Sequence, residues 1–247
     1  MDLIGWRRPP RIVGHTLRGV FQQSEASVMS MINVTLPDGT VNEYAEGITC
    51  AEVITDALGR KHGCLAATVD GVERDMSTKL ASSCSVEGIL SDSDAGIHIL
   101  RHSAAHLLAQ AVTELYPGAL PTIGPAIERG FYYDFKMDPI TEADLKAIQK
   151  KMQFLAKQNA VVERIELDEA DLKSHFEHNP YKMEIINDKL EDGAGSTIYK
   201  QGEWYDLCLG PHVPNLSRLM FVKLTSVSSA YWRGDQDREQ LVRIYGL

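Results

Sequence analysis

The stretch DAGIHILRHSAAHLLAQAVTELYPG, residues 94–118, decides how the rest of this 247-residue chain is read. Its apolar residues Ile97, Leu100, Ala104, Leu107, Leu108, Ala111 and Leu115 recur at steps of 3, 4, 3, 1, 3 and 4, the period of one face of an α-helix. Asp94 offers an N-cap and Pro117-Gly118 a stop, so the spacing predicts an amphipathic helix over residues 95 to 115. At about 100° per residue the stripe centres near Ala111 and Leu115, which places His102 and His106 on nearly the opposite face, away from the core. Residues four apart lie one above the other, so the two imidazoles can aim at one atom, and His98 continues the line one turn earlier. An HxxxH pair by itself reads first as two solvated surface histidines.

Upstream of this helix, Ile32 to Leu36 alternates with period 2, Pro37-Asp38-Gly39 turns the chain, and Thr40 to Tyr44 alternates again, which predicts a hairpin. Thr49 caps a short helix ending at Leu58-Gly59, and strands follow around Leu65 to Val69 and at Ile89. Residues 31–93 therefore read as a compact α+β unit. Residues 1–30 differ in character, with Arg7, Arg8, Arg11 and Arg18 against only Asp2 and Glu25 and no sustained periodicity, so a disordered tail is expected there. Its longest apolar run is too short for a secretory signal. Its arginines suit a mitochondrial presequence, while Asp2 and Glu25 count against one, and a translation start at Met29 or Met31 is equally consistent.

Downstream, Gly130 to Phe135 reads as a strand, and Thr141 with Asp144 opens a helix carrying Leu145, Ile148, Met152 and Leu155. A strand at Val161 to Ile165, a short helix capped by Asp168, and strands near Trp204 to Leu209, Leu219 to Ser226 and Arg243 to Tyr245 complete an α+β pattern without internal repeats.

Composition narrows the function classes. No apolar run approaches the roughly 18 residues of a membrane helix. The net charge of −9, from 25 basic and 34 acidic residues, argues against broad non-specific binding to nucleic acid, so any such contact is a local patch. Cys50, Cys64, Cys84 and Cys208 form no CxxC pair or framework spacing, which fits free thiols in a reducing compartment.

A second constellation lies about 100 residues beyond the first, in Asp206-Leu207-Cys208-Leu209-Gly210-Pro211-His212. Cys208 and His212 again make a four-residue step, and Gly210-Pro211 fixes a turn that re-aims His212. Two such pairs suit either a tetrahedral zinc site or a cluster of proton-transfer groups around a water. Cys208 alone reads more readily as a small buried residue. Other motifs are missing: there is no GxxxxGK[ST] and no HExxH, Gly193-Ala194-Gly195 is an isolated pair of loop glycines, and Ser103 lacks a GxSxG elbow. Lys146, Lys150 and Lys157 read as a solvated helix face.

The ordered series His102-Ser103-Ala104-Ala105-His106-Leu107-Leu108, Ile123-Gly124-Pro125, Gly130-Phe131-Tyr132-Tyr133-Asp134, Tyr181-Lys182, Asp206 to Pro214 and Ala230-Tyr231-Trp232-Arg233-Gly234-Asp235 resembles the amino-terminal half of bacterial-type threonyl-tRNA synthetases. Residues 31–93, with Leu36-Pro37-Asp38-Gly39, are similar to the family's TGS domain, a ubiquitin-like β-grasp. Residues 94–247 are similar to its two-layer α/β editing domain. Ser229 departs from the glycine common before Ala230-Tyr231-Trp232, a change expected to alter a local turn without touching the pocket.

The resemblance implies hydrolysis of serine wrongly esterified to threonine tRNA, with the tRNA acceptor end as partner. Serine lacks one methyl of threonine, and a binding pocket rejects a missing methyl by only about 1–3 kcal/mol, so a second site must clear the errors. Carried over by motif, His102, His106, Cys208 and His212 line the pocket, Asp206 holds the substrate's amino group, Tyr133 touches the terminal adenosine, and Lys182 activates or places the water, with His102 the candidate for proton transfer. Without that context Lys182 reads as an ordinary loop lysine and Asp206 as an ordinary strand-edge acid. The threonyl-type flanks imply no metal and no cofactor, whereas alanyl-type editing hydrolases use the same two pairs to hold zinc. A non-catalytic tRNA-binding remnant is the third alternative. The family continues beyond Ile244-Tyr245-Gly246-Leu247 into a class II catalytic core, so aminoacylation is not expected of this polypeptide by itself. A catalytic half would act in cis or in trans, in the cytoplasm and away from membranes.

Overall fold

The structure, a computed structural model, describes residues 30–191 and 197–247. The expected tail at 1–30 falls outside them except for Ser30, as do Gly193-Ala194-Gly195.

Strands β1 (Met31–Thr35) and β2 (Val41–Ala45) form the expected hairpin, with Ile32 and Val34 on the buried face and Gly39 at φ +84° in its turn. Helix α1 (Cys50–Leu58) begins at a capping box in which Thr49 and Glu52 satisfy each other's backbone N–H groups. Strands β3 (Cys64–Val69), β4 (Val72–Asp75) and β5 (Cys84–Leu90) follow. The sheet order is β2-β1-β5-β3-β4, with β1 and β5 parallel and the other pairs antiparallel. Cys50, Val53 and Ile54 of α1 pack against Ile32, Val34 and Val86 beneath it.

Helix α2 (Asp94–Leu115) spans the predicted range, but its cap is Ser93, whose hydroxyl accepts the Gly96 N–H, and Asp94 stands in the first turn, where its charge favours the helix N-terminus. Gly96 is required by the tight entry: a Cβ there would lie 1.9 Å from the Leu90 carbonyl oxygen. The expected surface face of α2 needs correcting. Every residue from Ser103 to Val112 is buried, His106 among them at 4% exposure. The helix lies between the first sheet on one side and a second sheet and helix on the other, so a single apolar stripe does not describe it.

The second sheet runs β12-β13-β8-β6, built from β6 (Leu120–Pro121), β8 (Gly130–Lys136), β12 (Leu224–Tyr231) and β13 (Gln240–Gly246), with β7 (Ala126–Ile127) beside β8. Ser229 pairs with Val242 within β12, so no turn lies there to be altered. Helix α3 (Glu142–Gln158) starts at the Thr141/Asp144 capping box and buries Ile148, Met152, Leu155 and Ala156 against α2, leaving Lys146, Lys150 and Lys157 solvated.

A third, antiparallel sheet β11-β10-β9 contains β9 (Val162–Glu166), β10 (Thr197–Gln201) and β11 (Trp204–Leu207). Helices α4 (Glu169–Phe176) and α5 (Pro180–Glu191) cover it through Leu172, Phe176 and Ile186. Helix α5 and strands β4, β6, β7 and β10 are not among the elements expected from the sequence. Helix α5 places Lys182 in a first turn capped by Asn179, whose side-chain oxygen accepts the N–H groups of Tyr181 and Lys182, so Lys182 is not on a loop. The described residues thus form a mixed α+β structure with three sheets. Its four cysteines are free, and no described helix is long and apolar enough to cross a membrane.

Candidate active site

Four segments converge beside the middle of α2: the helix itself, β11 with the loop that follows it, α5 and β8. The helix supplies His102 and His106, the loop leaving β11 supplies Cys208 and His212, and α5 with β8 supplies Lys182 and Tyr133 beneath Asp206 of β11. His102 Nε2 lies 3.0 Å and His212 Nε2 3.2 Å from Cys208 Sγ, which also receives the Gly210 N–H at 3.3 Å. The ring centres of His102, His106 and His212 stand 4.4 to 5.1 Å apart. One donor atom from each of the four residues falls within 4.8 Å of the others, so the two sequence pairs meet. His98 is exposed and stacks on His102 at 6.5 Å, outside the cluster.

Below this group lies a closed polar triangle. Asp206 is 1% exposed, Lys182 3% and Tyr133 1%. Lys182 Nζ meets Asp206 Oδ1 at 2.5 Å, the Tyr133 hydroxyl donates to Asp206 Oδ2 at 2.5 Å, and Lys182 donates to the Tyr133 oxygen at 3.0 Å. Asp206 Oδ1 also accepts the Leu207 N–H at 2.8 Å. Asp206 is therefore a buried, paired acid, unlike the strand-edge residue its sequence suggests. His106 Nδ1 faces Asp206 Oδ2 at 3.9 Å and is the single buried side-chain polar atom without a partner among the described residues.

Burial controls the protonation of the cluster. It pushes the Cys208 thiol up to about 12 and holds His102 down at about 4, the latter helped by the neighbouring His98. Burial, with the adjoining imidazoles, drives His106 and His212 well below the ordinary histidine range, and Tyr133 is raised far above the ordinary phenol range by burial and then by Asp206. Near neutral pH the site thus presents three neutral imidazoles and a protonated thiol around the Lys182–Asp206 ion pair.

A cavity of about 380 Å³ opens over these groups, lined by His102, His106, Tyr133, Lys182, Asp206 and Cys208, with Thr122 to Pro125 forming a wall. His212 does not reach it and instead backs Cys208 from behind. Tyr133 lines the cavity, and its hydroxyl is committed to Asp206. Gly124 is forced by that ring, since a Cβ there would come within 2.1 Å of Tyr133 Cδ2. A wider cleft of about 970 Å³ between α3 and β12 holds none of these residues.

Several supporting residues escaped the sequence reading. Ser103, set aside for want of a nucleophile elbow, is buried with its oxygen 3.1 Å from His212 Nδ1, and it accepts the Val213 N–H at 3.0 Å. Gln201 donates to the His106 carbonyl at 3.2 Å and to Gln110 at 2.9 Å, bracing α2 from β10. For α5 a signal existed in Asn179-Pro180, an N-cap residue followed by a proline at the first helical position.

Residues 196–245 match the family described as the threonyl and alanyl tRNA synthetase second additional domain. The chain is 45% identical over 222 residues to a threonine--tRNA ligase of Pelobacter propionicus, covering 88% of this chain and 35% of that protein. It is 42% identical to those of Acholeplasma laidlawii, over 88% of this chain and 34% of the relative, and of Streptococcus pneumoniae, over 87% and 34%. The chain thus spans about a third of the length of the curated relatives it matches. Over the span compared the chain is similar to part of a threonine--tRNA ligase.

Proposed function

We propose that the chain is the editing portion of a threonine--tRNA ligase and hydrolyses the ester of serine mischarged on threonine tRNA. The observation that carries this reading is the meeting of the two histidine-containing pairs with a buried Lys182–Asp206–Tyr133 triangle in one small cavity. In its support, the family matched at 196–245 is shared by threonyl and alanyl tRNA synthetases. In the same reading, residues 31–93 form a TGS-type β-grasp, supported by the order β2-β1-β5-β3-β4 around a parallel central pair, and residues 94–247 form the editing domain.

A carboxylate has about four lone-pair sites, and Lys182, Leu207 and Tyr133 occupy three on Asp206. The fourth, on the side of His106 Nδ1, takes the ammonium of the seryl group. Water then attacks the ester carbonyl carbon. His102, neutral through burial, has the lone pair that accepts the water proton, and it returns that proton to the ribose oxygen as the carbon–oxygen bond breaks, releasing serine and a free tRNA hydroxyl. Lys182 places the water and steadies the developing oxyanion. Tyr133 holds Asp206 and meets the terminal adenosine through its ring, while Cys208 and His212 fix the orientation of His102.

The reaction so described uses no metal or cofactor. The four donor atoms of His102, His106, Cys208 and His212, within 4.8 Å of one another, also suit a tetrahedral metal ion, and metal analysis of the purified chain separates the two chemistries. The partner is the acceptor end of threonine tRNA, in the cytoplasm, and a class II catalytic half acts in cis or in trans. The test is a deacylation assay on seryl threonine tRNA with the purified chain, in which catalysed release of serine is expected. Binding of that tRNA without turnover would contradict the reading in favour of a non-catalytic tRNA-binding role.

A further inference from the structure

Three acidic side chains are buried among the described residues, Asp75, Asp134 and Asp206. Asp134 is gripped at both oxygens by Arg243, and Asp206 is met at Oδ1 by Lys182. Asp75 has neither arrangement: it ends β4 on the edge of the first sheet, and no cation meets it within ion-pair distance among the described residues. Burying a carboxylate without a counter-charge is costly unless strong hydrogen bonds replace the lost water. Both of its bonds reach into the other half of the molecule. Oδ1 accepts the backbone N–H of His212 at 2.9 Å, 137 residues away, and Oδ2 accepts the Tyr199 hydroxyl at 2.5 Å, 124 residues away.

These two partners hold the loop that carries Cys208 and His212. The Tyr199 ring lies 4.3 Å from the His212 ring, and its hydroxyl is packed so closely beneath Gly210 that a Cβ there would stand 1.8 Å from it. Gly210 also has φ +75°, so the chain at that point has both a special conformation and no spare room. Asp75 therefore fixes the loop at His212 directly and at Gly210 through Tyr199. Within the loop, Cys208 Sγ meets His102 Nε2 at 3.0 Å, and the His212 ring lies 4.5 Å from the His102 ring. A displacement of 1 Å in either contact is enough to lower a rate about a hundredfold.

We propose that Asp75 is a positioning residue for the hydrolytic site, a clamp from the first sheet that sets the Cys208–His212 loop against His102. The proposal rests on the hydrolase reading for its kinetic consequence, while the clamp itself is a statement about the loop alone. Residues 31–93 thereby become a working part of the site rather than an attached module.

The experiment compares the full chain with Asp75→Ala, Asp75→Asn and Tyr199→Phe in two measurements. The first is single-turnover deacylation of seryl threonine tRNA over a range of enzyme concentrations, separating rate from binding. The second is the rate of iodoacetamide labelling at each cysteine, read by mass spectrometry. Asn keeps an oxygen for the His212 N–H and an amide that can donate to the Tyr199 oxygen, so it preserves the clamp where Ala removes it. In Asp75→Ala, Cys208 labelling is expected to rise at least about tenfold while the buried Cys50 and Cys64 stay protected, and the deacylation rate to fall at least about tenfold with half-saturation unchanged. Asp75→Asn is expected within about threefold of the unsubstituted chain in both, and Tyr199→Phe, which removes one bond of the two, between them. Unchanged Cys208 labelling in Asp75→Ala overturns the clamp. So does an equal rise at Cys50 and Cys64, which marks general unfolding, or equal damage from Ala and Asn. If Asp75→Ala does not fold, wild-type behaviour of Tyr199→Phe in both measurements overturns it. A loosened Cys208 with an undiminished rate overturns the positioning role. Absence of deacylation in the unsubstituted chain is the failure of the hydrolase reading, and the labelling result still decides the clamp.

Discussion

Lys182 Nζ lies 2.5 Å from Asp206 Oδ1, with the two side chains 4% and 2% exposed. Removing one member of such a pair leaves the other charge buried and uncompensated, a loss of about 3–5 kcal/mol, whereas replacing both by apolar groups is often close to neutral. Lys182→Met and Asp206→Leu should each be strongly destabilised in urea unfolding, and the double variant less so than the sum of the two. Additive losses would show that the pair is not coupled as the geometry indicates.

Protonation gives a second expectation. Burial lowers His102 from 6.5 to about 4, and His106 and His212 move the same way. The unfolded chain therefore takes up protons before the folded one, so stability is at its full value above about pH 6.5 and falls as pH drops through the window from 6.5 to 4. Denaturation midpoints across that range check this, and His102→Gln, which takes up no proton, should flatten part of the slope. The deacylation rate, corrected for spontaneous ester hydrolysis, should also hold level down to about pH 5 before it falls. A rate that halves near pH 6.5 would mean that His102 titrates as an exposed histidine.

Much of this was legible in the sequence. Period-2 alternation around Pro37-Asp38-Gly39, the caps at Thr49 and Thr141 and the 3-and-4 steps from Ile97 to Leu115 are local signals, and each element stands where they put it. What stayed hidden depends on distant neighbours. His106 lies opposite an apolar stripe and is buried all the same, because sheets flank α2 on more than one side. Nothing near Asp75 announces a bond to a residue 137 positions away. The two histidine-containing pairs were visible as motifs, while Ser103, whose hydroxyl holds the back of His212, belongs to no motif of its own.

Metal content separates the two chemistries that His102, His106, Cys208 and His212 allow. The purified chain should carry less than about a tenth of an equivalent of zinc, and prolonged chelation should leave seryl ester hydrolysis unchanged. Stoichiometric zinc, with activity lost on chelation and restored by zinc, would establish the alanyl-type alternative.

The wall at Gly124 offers a test of pocket shape. An added methyl at 2.1 Å from Tyr133 Cδ2 must displace the ring or the wall, at about 1–3 kcal/mol. Gly124→Ala should keep the fold, with a modest drop in melting temperature, and lose at least about tenfold in deacylation rate. Full activity in this variant would mean that the ring position does not matter to the substrate.

In the proposed reaction the pocket destroys the seryl ester and spares the threonyl one. Serine offers no group that threonine lacks, so discrimination has to come from excluding the extra methyl, which is worth about ten- to a hundredfold when a tight wall must yield by one methyl. Single-turnover deacylation of seryl and threonyl esters of the same threonine tRNA, measured side by side on this chain, tests it most directly. Rapid loss of the seryl ester with threonyl hydrolysis at least about tenfold slower is the expected result. Equal hydrolysis of the two, or of neither, would contradict it.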